Sequence, residues 1–97
     1  MAIDPGAIDA ALAAAVGDDP ALIAELRAAF VDSAHRGLAA IENAADEESW
    51  RAAAWRLKGL AASFGAVRLV ALATEATRRP VGDRAMIKRL RQAIARL

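Results

Sequence analysis

The sequence predicts an all-α fold: an antiparallel up-down four-helix bundle with a short extra helix at its N-terminus. Three observations lead there. Alanine, the strongest helix former, fills 28 of the 97 positions. Residues that favour strands are sparse, with few valines and no tyrosine. Acidic caps, prolines and glycines also punctuate the chain at helical intervals, leaving only short connections between long amphipathic segments. A chain of 97 residues holds one hydrophobic core, so residues 1–97 are expected to form a single domain.

The first helix is expected from Pro5 to Val16, with Asp4 as N-cap, Pro5 at the first helical position and Gly17 as stop. Ile8, Leu12 and Val16 mark its apolar side. Asp18-Asp19-Pro20 opens a long second helix, in which Asp19 caps and Pro20 starts. Its stripe is Leu22, Leu26, Phe30, Ala34, Gly37 and Ile41, and it is expected to end around Ala45. Asp46 caps the third helix, about 47–64, whose inner stripe is Trp50, Ala54, Leu57, Ala61 and Phe64. Gly65 breaks it. A fourth helix is expected from Ala66 to about Arg78, with Val67 or Leu69, Leu72 and Ala76 inward. Arg79-Pro80-Val81-Gly82 reads as a turn, and Asp83 caps a last helix carrying Ile87, Leu90, Ile94 and Leu97 on one side.

Composition excludes several classes of function. There is no cysteine, hence no disulfide or thiolate site, and a single histidine, His35. That histidine reads as a surface or boundary residue of the second helix. Asp46-Glu47-Glu48 is a contiguous helix start rather than a loop of alternating ligands, so no metal is expected. No phosphate-cradling glycine loop or nucleophile motif occurs, and neither enzyme activity nor a cofactor nor a small-molecule substrate is expected. Met1-Ala2-Ile3-Asp4-Pro5-Gly6 lacks the form of a signal peptide and no apolar run is long enough for a membrane span, which suggests a cytoplasmic protein.

The net charge of +1 conceals a polarity. Residues 1–50 carry ten acidic and two basic side chains; residues 51–97 carry two acidic and eleven basic ones. Either the halves attract each other within the fold, or one face is built for a charged partner.

The most specific stretch is Trp55-Arg56-Leu57-Lys58-Gly59, continuing to Gly65-Ala66. It resembles the signature of histidine-containing phosphotransfer (HPt) domains, His-x-Leu-Lys-Gly followed six residues later by Gly-Ala. Trp55 stands where that family carries its phospho-accepting histidine. An indole has no nucleophilic nitrogen that can hold a phosphoryl group, so the resemblance implies the scaffold without the reaction. The partners it implies are the receiver domain of a response regulator, a histidine kinase, or both.

Trp55 falls about 100° round the third helix from the buried Ala54. It is expected to be largely exposed, among Arg51, Ala52, Lys58, Gly59 and Ala62. The site residues expected to dock a partner are therefore Trp55, Lys58, Gly59, Arg51, Arg56 and Ala62. The competing reading has Trp55 lying flat over a gap between helices. Gly59, costly inside a helix by about 1 kcal/mol, implies either a partner approaching its backbone or close packing on a neighbouring helix. Lys58 occupies the family's lysine position and would pair with acidic groups around a receiver's phospho-acceptor aspartate. Its bland alternative is a solvated lysine.

The function implied is a non-phosphorylatable adaptor or inhibitor in a phosphorelay. A relay protein whose histidine has been exchanged for Trp55 would read the same way. The alternative is a small basic bundle contacting nucleic acid or an anionic membrane surface through Arg84, Lys88 and Arg91, flanked by Arg89 and Arg96 on the last helix. Against nucleic acid stands a pI of only about 8.4.

Overall fold

The computed structural model describes the backbone of residues 5–97 and the side chains from residue 8 onward. It contains five helices: α1 (Pro5–Val16), α2 (Pro20–Glu42), α3 (Glu47–Ser63), α4 (Val67–Ala76) and α5 (Arg84–Ala95), with no strand among the described residues. The Asp4 cap expected for α1 lies outside them. Helices α2 to α5 form the bundle, each packed on its chain neighbour and α5 closing back on α2, while α1 packs along α2. Twenty-three residues at 1.5 Å each make α2 about 35 Å long. It sets the long axis of a molecule measuring 43 × 24 × 17 Å.

Local chemistry fixes the helix starts. Asp19 accepts from the N–H groups of Ala21 and Leu22 at 3.1 and 3.2 Å, ahead of Pro20. Asp46 accepts from Ser49 N–H at 2.7 Å, and Asp83 from Met86 N–H at 2.9 Å. Each such cap stabilises its helix by about 1 kcal/mol. At the end of α3, Gly65 takes a φ of 70°, which glycine adopts without steric cost. This lets Ala66 N–H reach Ala61 O at 2.9 Å and Gly65 N–H reach Ala62 O at 3.2 Å, a complete Schellman closure. The Gly65-Ala66 pair is thus a helix terminator.

Two helices fall short of the sequence expectation. α2 stops at Glu42 rather than Ala45, because Ala44 and Ala45 are needed to reverse the chain before the Asp46 cap. α4 runs from Val67 to Ala76 rather than Ala66 to Arg78. After Ala76 the chain tightens, Arg78 N–H bonding Glu75 O and Arg79 N–H bonding Ala76 O.

The core is built from Phe30, Leu38, Ile41, Trp50, Leu57, Leu69, Leu72, Met86, Leu90 and Ile94, with Ile8 and Leu12 of α1 joining at one end. Phe30 and Phe64 stack with centroids 4.5 Å apart, although Phe64 is only partly buried. Alanines 34, 54, 61, 73 and 76 are fully buried and let the helices approach closely. α2 and α3 pack closely at Gly37, where a Cβ would lie 3.2 Å from Leu57 Cδ1.

Several stripe residues are not where periodicity put them. Val16 and Leu22 are exposed, Leu26, Gly37, Ile87 and Leu97 are half-buried, and Val67 is 67% exposed, the inward position being taken by Leu69. Leu38, Ala53, Met86 and Ala93 are buried instead. Arg27, two turns into α2, already reaches the Leu97 carbonyl beyond the end of α5, so Leu22 lies still further along, on the part of α2 beside α1. A step of four from Leu22 also drifts off a 3.6-residue period.

The charge polarity is little used inside the fold. Arg91–Glu42, at 3.0 Å, is an ion pair between side chains of the acidic and the basic half. Arg27–Asp9 and Arg36–Asp32 lie within the first half, and Arg79–Glu75 and Arg89–Glu75 within the second.

Candidate docking face on the third helix

α3 presents two tryptophans to opposite environments. Trp50 is 1% exposed, and its indole N–H donates at 2.7 Å to Ala76 O, the carbonyl at the end of α4 that also accepts from Arg79 N–H. That bond locks α3 against α4 and fixes the rotation of α3 about its axis. Five residues on, the same rotation turns Trp55 outward, where it is 53% exposed. The face that periodicity assigned to Trp55 is the one it occupies.

The six residues expected to dock a partner all lie on the outer side of α3. Arg51, Arg56, Gly59 and Ala62 are exposed along with Trp55, and Lys58 is half-buried. Arg51, Trp55 and Gly59 form one row at i, i+4, i+8, and Lys58 and Ala62 follow Trp55 at i+3 and i+7. The Lys58 Nζ lies over the indole, 4.2 Å from the ring centroid. This cation–π contact, worth about 0.5–1 kcal/mol at an exposed site, draws the ammonium onto the tryptophan and half-buries its stem. Among the described residues no carboxylate pairs with Arg51, Arg56 or Lys58.

Packing within the bundle does not account for Gly59. A Cβ built there would meet nothing within 4 Å. Close packing within the bundle therefore does not require the glycine, unlike Gly37, where Leu57 stands against it. The backbone at Gly59 is open to whatever approaches from outside.

The sequence gives no sign of a shallow groove beside this face. It has a volume of about 480 Å³ and runs between the end of α2 and the first half of α3. Ala40, Ala44 and Ala45 line one side and Glu48, Ala52 and Arg56 the other. In a chain with 28 alanines, its walls carry no distinguishing signal.

The other candidates stand apart from this face. His35 is exposed on α2, and Asp46 acts as the α3 cap, its carboxyl held below the ordinary carboxylate range by the Ser49 N–H. On α5 the basic face is partly spent within the fold. Arg89 is bound to Glu75 and Arg91 to Glu42, leaving Arg84, Lys88 and Arg96 without carboxylate partners among the described residues. Between Arg89 and Arg79, the Glu75 carboxyl is lowered to about 2. No helix among the described residues is long and apolar enough to cross a membrane.

A family model, Hpt domain, matches residues 25–97, about three quarters of the chain. The chain belongs to the Hpt family. The match takes in most of α2 and all of α3, α4 and α5, and leaves α1 and the first turn of α2 outside it. No curated protein and no solved structure matches the chain. Hpt domains carry phosphoryl groups in phosphorelays and are not enzymes in the usual sense, so membership assigns this bundle to phosphorelay signalling.

Proposed function

We propose that this Hpt protein is a phosphorelay adaptor or inhibitor that docks on a response-regulator receiver domain, or on the histidine kinase that feeds one, without accepting a phosphoryl group. The observation that carries the reading is the exposed Trp55 on the outer row of α3, at the position where the family signature has histidine. Indole offers neither a basic nitrogen nor a lone pair outside its π system, so no phosphoramidate forms there. The surrounding face keeps what docking needs. Trp55 is a large apolar anchor, Gly59 leaves the backbone approachable, and Arg51, Arg56 and Lys58 bring uncompensated positive charge. A receiver's active site is a cluster of carboxylates, and such charge complementarity speeds encounter and fixes orientation. On binding, Lys58 would leave the indole for those carboxylates, freeing the ring to pack.

The reading is tested with purified receiver domains and kinases from the source organism, titrated against the native protein and a Trp55→Ala variant. Binding at tens of micromolar or tighter, lost with Trp55→Ala, is the expected result. Failure of every receiver and kinase to bind would refute it. A phosphorylated receiver should leave the native protein unlabelled, whereas Trp55→His should acquire acid-labile phosphate if the docking geometry is that of the family.

A nucleic-acid or membrane role through α5 is less supported, because Glu75 and Glu42 occupy two of its five cations. It would be recognised by binding that weakens steeply with salt and survives Trp55→Ala.

A further inference from the structure

Round the bundle the helices follow the order α2, α3, α4, α5 and back to α2, so α5 stands diagonally across from the Trp55-bearing helix. Between the start of α4 and the end of α5 lies a small cleft of about 50 Å³, lined by Arg68, Arg89, Gln92, Ala93 and Arg96. No carboxylate lines it. The antiparallel run of the two helices brings residue 68 beside residues 92, 93 and 96, positions more than twenty apart in sequence.

One of the three guanidiniums is held in place from behind. Glu75, further along α4, accepts from Arg89 Nη1 at 2.6 Å and from Nη2 at 3.1 Å, a two-pronged pairing that orients the planar group. Arginine has five N–H donors, so Arg89 keeps others for a ligand. Glu75 is also shared with Arg79, at 3.0 Å. Arg68 and Arg96 have no carboxylate partner among the described residues. Three guanidiniums thus line one cleft and only Arg89 has a carboxylate partner, so an anion between them would relieve their mutual repulsion.

We propose that the α4–α5 cleft binds a phosphate-class oxyanion, held by Arg68, Arg89 and Arg96 with the Gln92 amide as a neutral donor. Planar guanidinium forks match the oxygens of a tetrahedral phosphate better than a point-charge ammonium does. At about 50 Å³ the cleft suits a single phosphate group rather than a nucleoside or sugar. The phosphate of a free metabolite and that of a phosphomonoester lipid headgroup present the same chemistry to it. The inference rests on residues separate from the docking face and does not depend on it.

The test follows the arginine Nε–H resonances of the intact protein by NMR during titration with sodium phosphate. Ionic strength is held constant with chloride, and Arg68→Ala, Arg96→Ala and Lys88→Ala are run in parallel. All three substitutions are at exposed positions, so the fold is retained. The expected result is saturable shifts at Arg68, Arg89 and Arg96, with affinity about tenfold weaker in Arg68→Ala and Arg96→Ala and unchanged in Lys88→Ala, whose side chain lies outside the cleft. Co-sedimentation with phosphatidylcholine vesicles doped with phosphatidic acid then separates the sources. Sedimentation reversed by phosphate identifies a headgroup, and saturation by free phosphate without sedimentation identifies a soluble ligand. The proposal is overturned if phosphate produces no saturation beyond chloride, or if Lys88→Ala weakens binding as much as the cleft variants do.

Discussion

Trp50 and Trp55 sit five residues apart on one helix and do opposite work. Trp50 is enclosed, with its one polar atom bonded to Ala76 O; Trp55 stands in solvent with a lysine over its face. The two glycines near them divide the same way. Gly37 touches Leu57 across the α2–α3 seam, while Gly59 has open space beside it. The inner side of α3 is therefore committed to stability, and its outer side carries groups that the bundle does not need.

The largest effect that tests this contrast is Trp50→Ala. Removing the ring leaves a cavity among the core helices and takes one of its two donors from Ala76 O, with an expected loss of about 3–5 kcal/mol in urea unfolding. A loss no larger than that of Trp55→Ala would abolish the distinction between the two faces.

Alanine at the two glycines should move stability in opposite directions. Gly59→Ala gains helix propensity with no clash, an expected stabilisation of about 0.5–1 kcal/mol, together with weaker receiver binding as the backbone is covered. Gly37→Ala gains the same propensity but puts a Cβ 3.2 Å from Cδ1 of the buried Leu57, which must shift by a few tenths of an ångström within the core; overpacking of about 1–3 kcal/mol leaves it destabilised. Thermal unfolding of the two variants side by side gives the sign of each.

Smaller still is Trp55→Ala, expected to change stability by less than about 1 kcal/mol, since more than half of the residue is already in solvent and alanine is the better helix former. The emission of the native protein should divide accordingly. A red-shifted, acrylamide-quenched component should vanish with Trp55→Ala, leaving the blue-shifted emission of Trp50.

The smallest effect concerns acid. Glu75 sits at about 2 in the folded chain against an ordinary 4.5, because Arg89 and Arg79 hydrogen-bond its charged form. Its contribution to stability is complete above the ordinary carboxylate range and is lost as pH falls from there toward 2. The group is partly exposed and screened by solvent, so the change is modest. Urea midpoints at about pH 5 and about pH 3 should fall further for the native protein than for Glu75→Gln.

The outer row of the site was legible because it depends only on helical geometry. Once Trp50, Leu57 and Ala61 are taken as inward, Trp55, Gly59 and Ala62 must face out, and they do. The position of Lys58 over the indole was not legible, because a long side chain chooses its rotamer from its surroundings. The cleft at Arg68, Arg89 and Arg96 and the groove beside Ala44 and Ala52 were invisible for another reason. Both join residues from different helices, and no local pattern encodes that meeting.

By itself the sequence determined where α2, α3 and α5 begin and where α3 ends. Asp19, Asp46, Asp83 and the Gly65-Ala66 pair act on backbone groups within a few residues of themselves, and such bonds form wherever the helix does. Tertiary structure decided which apolar side chains are covered. Leu22, Val16 and Val67 carry the same hydrophobic character as Leu38 and Leu69 but remain outside. The difference is the neighbour: burial requires a second helix at the right height, and in a bundle this alanine-rich, spacing alone does not say which side will have one.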